Sequence, residues 1–501
     1  MSEPANSESL GARTVKGAGW LMGWRLVSRM LGIANTVVLV RLLTPADFGL
    51  VALATSFSLA IDSMSYLGVS DALVREHSVD RTLYDTGFTI TVLRGLMTSL
   101  IIAACAWPAA RLFGDSRLTV IFLVLAAGLL STSFENIGIV DFQRDLAFGK
   151  QFQIMLVPRI GGIIASITCA VVWHSYWALV AGLVVSRAMR LFFTYAVHPF
   201  RPRITLQAWR RLISFSFWSW AISMTALIHS RSDTIIIGGF LNPTAVGVFS
   251  IGGEVGSLAS SELVEPISRA LFAGFSSARR TGDGVASAYI RAISLVVLIT
   301  LPTSAGVALL AGPLMHLVFG PQWDAAIPLV KVFALVGMLR VGGAVSGVLL
   351  TVEGMVKYGF HIELTSAILR VIVLLSLVPT FGLMGAVYGL AATGLIEEVI
   401  YLIITFRHTR LRPRDLALGL WRPSLATAVM AIVLLGAGLD QPLPDVAAMW
   451  RTLHLAGTAL LGALVYSTTL LVAWLAAGRP RGAETYFLGL AGQILRHRLG
   501  R

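Results

Sequence analysis

The chain has 501 residues, 56% hydrophobic and only 13% charged, and its 39 Lys and Arg against 26 Asp and Glu leave a net charge of +13. With a mean hydropathy of +0.79 and repeated apolar runs of about 20 residues, the length counts membrane spans rather than soluble domains. A soluble enzyme, a nucleic-acid-binding protein and a disordered scaffold are excluded. The basic excess then needs a membrane explanation: orientation, headgroup contact or anionic cargo. The two cysteines, Cys105 and Cys169, sit inside apolar runs, so neither a disulfide framework nor a metal site is expected.

Residues 1–16 are short and polar, without the compact apolar core and cleavage site of a secretory signal. Apolar runs punctuated by Pro, Gly and charge then predict about fourteen helices. In chain order they are 18–40, 46–68, 86–107, 118–140, 152–173, 176–197, 212–240, 245–268, 289–311, 324–350, 360–379, 382–405, 417–438 and 452–477. The expected fold is an all-α polytopic membrane protein. It has two pseudo-symmetric six-helix lobes, 17–200 and 201–410, then two more helices within 411–478. A basic cytoplasmic tail, 479–501, can lie on the inner surface as an amphipathic helix.

Loop charge sets the orientation. With a cytoplasmic N-terminus, 22 Lys and Arg fall in inside segments and four (Arg41, Arg111, Arg117, Arg451) in outside loops. This strong positive-inside bias places both termini in the cytoplasm. The outside loops are all short, which leaves no room for an extracytoplasmic catalytic domain.

The two halves share a motif. Leu43-Thr44-Pro45-Ala46-Asp47-Phe48-Gly49 and Leu241-Asn242-Pro243-Thr244-Ala245-Val246-Gly247 both fit Leu-[Thr/Asn]-Pro-x-x-apolar-Gly. Ser175-Tyr176-Trp177-Ala178-Leu179-Val180 parallels Gly382-Leu383-Met384-Gly385-Ala386-Val387. Six predicted helices separate the copies, so the repeat is parallel, about an axis along the membrane normal.

An ionisable group inside a span costs at least about 2.5–3.5 kcal/mol at the centre, so its placement carries information. Arg25 and Arg29 share one face of the first helix. Arg94 and Arg340 lie alone in the third and tenth helices, and Arg231 and Asp233 in the seventh. These six are the candidate substrate-binding residues. Polar stripes at helical spacing run along the second helix (Thr55, Ser58, Asp62, Ser65) and the eighth (Glu254, Ser257, Ser261, Glu265, Ser268). Asp62, Glu254 and Glu397 are the candidate ion-coupling residues. Glu397 and Glu398 are adjacent, so they point to different surroundings. There is no phosphate-binding Gly-x-x-x-x-Gly-Lys-[Ser/Thr] loop, no His-Glu-x-x-His helix and no metal-ligand spacing. No cofactor and no catalytic residue are expected.

Gly17-Ala18-Gly19-Trp20, then Arg41-Leu42-Leu43-Thr44-Pro45-Ala46-Asp47-Phe48-Gly49, then Leu67-Gly68-Val69-Ser70-Asp71-Ala72-Leu73-Val74-Arg75 resemble bacterial polysaccharide transporters. These are the Wzx-like O-antigen and exopolysaccharide flippases of the multidrug/oligosaccharidyl-lipid/polysaccharide superfamily. Arg231-Ser232-Asp233-Thr234-Ile235-Ile236-Ile237-Gly238 resembles the start of their second lobe. The resemblance implies transfer of an undecaprenyl-diphosphate-linked glycan from the inner to the outer leaflet of the bacterial inner membrane. It also implies a cationic cavity onto which Arg25, Arg231 and Arg29 map. The implied partners are that glycan, membrane lipid, and the polysaccharide polymerase and export machinery, with no nucleic acid. Two other readings stay open: a multidrug or small-molecule antiporter of the same superfamily, and a non-transporting polysaccharide-assembly subunit. Arginine at membrane depth favours a diphosphate, whose oxygens it grips bidentately.

Overall fold

The computed structural model describes residues 10–480 apart from 67, 77–79, 146, 214–215, 282–283 and 442–446. The expected amphipathic tail lies almost wholly outside the described residues. The secondary structure of the described residues is helical, with no strand among them. The chain divides into two compact units, Met1–Gly247 and Val248–Arg501.

The first unit holds α1 (Leu10–Leu42), α2 (Pro45–Met64), the short α3 (Val69–Arg75), α4 (Arg81–Leu112), α5 (Arg117–Ser133), α6 (Asp141–Arg144), α7 (Phe148–Trp173), α8 (Trp177–Val197), the short α9 (Trp209–Ile213) and α10 (Ser216–Phe240). The second opens within α11 (Pro243–Thr281). It continues through α12 (Val285–Leu309), the four-residue α13 (Ala311–Leu314), α14 (Ile327–Leu339), α15 (Val341–Val352), α16 (Val356–Thr409), α17 (Pro413–Gly436) and α18 (Ala448–Ala476).

Among the described residues, nine helices are long and apolar enough to cross a membrane. The α5 and 137–144 segments, bent by 69°, make a tenth if they count as one span. The helices α1, α10 and α11 are not among them; they carry Arg25 and Arg29, Arg231 and Asp233, and Glu254. The element α16 breaks at Gly382, whose φ of 59° and ψ of −140° a side chain resists. The break falls where the predicted spans 360–379 and 382–405 meet.

Helix starts follow local chemistry. Thr44 caps α2 in a capping box with Asp47, and Pro45 occupies the first turn, where its missing N–H costs nothing. Asp47 does a second job, since its Oδ1 accepts the Tyr176 amide at 3.0 Å just before α8. Asn242 caps α11 through the Ala245 amide at 2.9 Å.

After α8 the chain runs irregularly along the first turns of α4. Asp85 Oδ1 accepts the Arg203 amide at 2.8 Å, and Thr89 Oγ1 accepts that of Thr205 at 2.9 Å. The Asn136 side chain donates to the His198 and Phe200 carbonyls at 3.1 and 2.8 Å. A buried cluster of Leu73, Leu83, Phe88, Ile137 and Leu212 lies beneath. Close by, Tyr66 donates to Asp71 at 2.9 Å; burial first, and then that bond, pushes its phenol above the ordinary range.

Candidate functional site

Two guanidinium–carboxylate pairs sit inside apolar helices, one in each unit. In the first, Arg94 of α4 meets Asp62 of α2, Nη1 to Oδ1 at 3.0 Å, with both side chains mostly buried. One helical turn on, Ser65 Oγ and Thr98 Oγ1 lie 2.8 Å apart. The spacings Asp62–Ser65 and Arg94–Thr98 are helical steps, so one polar seam joins α2 to α4.

In the second unit, Arg340 occupies the break between α14 and α15. Its Nη2 lies 3.2 Å from Glu397 Oε2 on α16, and Ser366 Oγ donates to the same oxygen at 2.9 Å. Gly394, one turn before Glu397, leaves room for the Arg340 stem; a Cβ there would stand 3.0 Å from Arg340 Cδ.

The neighbouring Glu398 is 7% exposed. It turns to the start of α15, where its Oε2 accepts the Gly343 amide at 2.6 Å. The unpaired amides of a helix's first turn attract a carboxylate, and the bare backbone of Gly342 and Gly343 lets it in. Adjacent carboxylates thus serve different partners: Glu397 takes the arginine and Glu398 the helix start.

The other candidates lie outside these two pairs. Arg25 is exposed and Arg29 half-buried on α1. Arg231 and Asp233 are half-buried on α10, where Asp233 Oδ1 accepts the Thr234 amide at 2.7 Å. Glu254 is exposed on α11. The side chains of Ser261 and Glu265, on the same predicted stripe, lie outside the described residues. Arg190 and Arg187 touch protein: Arg190 pairs with Glu135 at 3.1 Å, and Arg187 donates to the Leu125 carbonyl at 3.3 Å.

Sequence reasoning missed Arg422, which is 5% exposed on α17. Its signal was present, an arginine nine residues into an apolar helix and followed by Pro423. The second unit also contains a cavity of about 820 Å³ with an almost wholly apolar lining from α12, α17 and α18, including Pro302, Gly306, Met430, Ala459, Gly462 and Leu470.

The helices define an all-α polytopic membrane protein. The backbone superposes on the lipid II flippase MurJ in an inward closed conformation, with a TM-score of 0.74 at 13% identity, covering 91% of this chain and 99% of that one. It also superposes on an inward-facing multidrug resistance MATE family transporter, with a TM-score of 0.58 at 15% identity, covering 76% and 94%. At such identities both likenesses describe the fold alone. In sequence, the chain is 22% identical over 454 residues to the lipopolysaccharide biosynthesis protein WzxC of Escherichia coli strain K12, covering 85% of this chain and 88% of that one. The chain belongs to the polysaccharide biosynthesis protein family, whose model matches residues 38–328.

Proposed function

We propose that this protein carries a polyprenyl-diphosphate-linked oligosaccharide from the inner to the outer leaflet of the bacterial inner membrane, with both termini in the cytoplasm and no enzymatic step. The observation that carries the reading is the arginine–carboxylate pair at membrane depth in each unit, in a chain of the polysaccharide biosynthesis family. A diphosphate crossing hydrocarbon keeps its charge and needs cations on the way. Arginine supplies them in the bidentate geometry that phosphate oxygens accept.

The pairing suggests how the grip releases. With no cargo, Asp62 and Glu397 hold Arg94 and Arg340. A phosphate that takes a guanidinium displaces the carboxylate from it. When the cargo leaves, the pair re-forms, so each carboxylate competes with the cargo for its arginine; Asp62 and Glu397 are the groups through which an ion could couple to this exchange. Arg25, Arg29 and Arg231 add further cations along the path, Asp233 stands beside Arg231 in sequence, and Glu254 is a third candidate ion-coupling carboxylate. The cavity against α17 and α18 offers an apolar bed for the lipid chain. The glycan then passes to polymerase and export machinery.

Deleting the gene and extracting lipid-linked sugars tests the reading. Accumulation of diphosphate-linked glycan on the inner leaflet supports it, and an unchanged pool on both leaflets contradicts it. The antiporter reading predicts no such pool, only altered tolerance of small toxic cations. The assembly-subunit reading predicts that variants of Arg94 and Arg340, normally abundant in the membrane, export as wild type.

A further inference from the structure

Arg159 sits near the middle of α7, an apolar span of 26 residues in the first unit. Its Nε is buried without a hydrogen-bond partner. No carboxylate among the described residues pairs with it. Arg94, Arg187 and Arg190 of the same unit all have protein partners. A lone charge at this depth is expensive, and a fold keeps one where a ligand compensates it.

The packing of α1 on α7 shows where the guanidinium goes. The two helices run side by side in the same direction. Trp20 and Trp24 meet Phe152 near the start, with ring centroids 5.2 and 6.1 Å apart. Further along, Asn35 meets Ser166, and Leu39 shares a buried cluster with Ala170. By the Asn35–Ser166 offset, Arg159 stands level with Ser28. Its guanidinium instead reaches Gly32, where a Cβ would stand 2.9 Å from Nη2. Gly32 lies one turn further along α1, so the side chain points deeper into the span. A snorkelling arginine would turn back to the headgroups at the start of α7.

Asn35 adds a second donor. It follows Gly32 by three residues on the same face of α1. Its Oδ1 accepts the Ser166 hydroxyl at 3.0 Å, which leaves its amide N–H groups to donate. Guanidinium and amide thus flank the bare backbone of Gly32, and the hydrogen-bonding capacity they have left is all donor. Such a pair suits the oxygens of an anion, which also compensates the charge.

We propose that the seam between α1 and α7 holds a phosphate-group subsite, with Arg159 and Asn35 as its donors and Gly32 as the bare backbone that lets the guanidinium stand there. Resting on the transport reading above, its ligand is the diphosphate of the cargo on its way across. Depth selects that source. The helix α7 is about 39 Å long, and the level of Gly32 falls about 15 Å from its far end. Headgroup phosphates lie outside a hydrocarbon core about 30 Å thick, so a phosphate at this level is one being carried.

Purified protein in phosphatidylcholine nanodiscs, titrated with radiolabelled undecaprenyl diphosphate, tests the subsite. Arg159→Gln should weaken binding about tenfold or more, the loss expected for a charged hydrogen bond. Without the probe its unfolding temperature should hold or rise, because an uncompensated charge has gone. Arg159→Lys keeps the charge without the fork and should fall between the two. Asn35→Asp keeps an acceptor for Ser166 and sets a carboxylate beside the guanidinium, so it should raise the unfolding temperature and weaken binding about tenfold. Gly32→Ala pushes the flexible end of Arg159 aside and should weaken binding several-fold. Gly23→Ala, where an added Cβ meets nothing within 4 Å, should change nothing.

Wild-type affinity in normally folded Arg159→Gln or Asn35→Asp protein overturns the subsite and leaves the transport reading standing. An equal loss of unfolding temperature in Arg159→Gln with and without the probe makes the residue structural and overturns it too. Displacement of the probe by phosphatidylglycerol at equal concentration, dependent on Arg159, assigns the site to a lipid headgroup and overturns the cargo assignment. Binding of inorganic pyrophosphate that depends on Arg159, with no binding of undecaprenyl diphosphate, supports the subsite and contradicts only the cargo reading. No binding of either by the wild type overturns the subsite.

Discussion

Arg94 and Arg340 each sit where an unpartnered charge is expensive, and each has one carboxylate within reach. Removing the carboxylate should therefore hurt more than removing both groups. Asp62→Ala leaves Arg94 uncompensated and should lower stability by about 1–3 kcal/mol, less than a fully buried pair would lose because both side chains retain some exposure. Arg94→Leu in the same chain should recover part of the loss. Thermal unfolding of the detergent-solubilised protein measures both. The second unit offers the sharper contrast: Glu398→Gln keeps an acceptor for the Gly343 amide and should unfold near wild type, whereas Glu398→Ala leaves that amide bare and should lose about 1–3 kcal/mol. Cost arguments picked out Arg94, Arg340, Asp62 and Glu397 from the sequence, because any charge in an apolar run stands out. Their pairing was not legible, since Asp62 and Arg94 lie on different helices and only tertiary packing decides which faces meet. Arg422 carried the same signal, a charge in an apolar run, but its position toward the start of α17 also fits a headgroup contact, and only the packing shows that it is buried.

Helix identity was more legible than helix ends. Pro45, Pro243 and Pro413 start helices as their ring geometry favours, and Thr44 with Asp47 marks a capping box in plain sequence. The short α3 and α9 were not legible, since seven and five residues carry too little periodicity. They are fixed by the buried cluster that also seats the chain after α8. That seat depends on Asp85 and Asn136. Asp85→Ala should free the Arg203 amide and make 198–206 a preferred site of limited proteolysis in inside-out vesicles, while the neighbouring helices keep their protection. At the cavity against α17 and α18, Ala459→Phe should fill space that a lipid chain would occupy. Export of glycan should fall several-fold while thermal stability stays within about 0.5 kcal/mol of wild type.

Composition set the class at once, because few membrane-free folds tolerate 56% hydrophobic residues over 501 positions. The repeat was legible because both copies kept Pro and Gly, residues chosen for backbone geometry. Charge asymmetry in the loops predicts orientation directly: reporter fusions after Pro202 and Arg412 should report cytoplasm, and those at Asn242 and Gln441 the outside. A cytoplasmic signal at Gln441 would break that topology. The central claim is movement of a lipid-linked glycan, and one reconstituted measurement addresses it. Vesicles holding the purified protein and a labelled polyprenyl-diphosphate oligosaccharide are treated with a membrane-impermeant glycosidase. The account predicts that the inner-leaflet half of the label becomes cleavable with wild-type protein, and far more slowly with the Arg94→Ala/Arg340→Ala variant. Cleavage that stops at the outer-leaflet fraction with wild-type protein, as in protein-free vesicles, would contradict it.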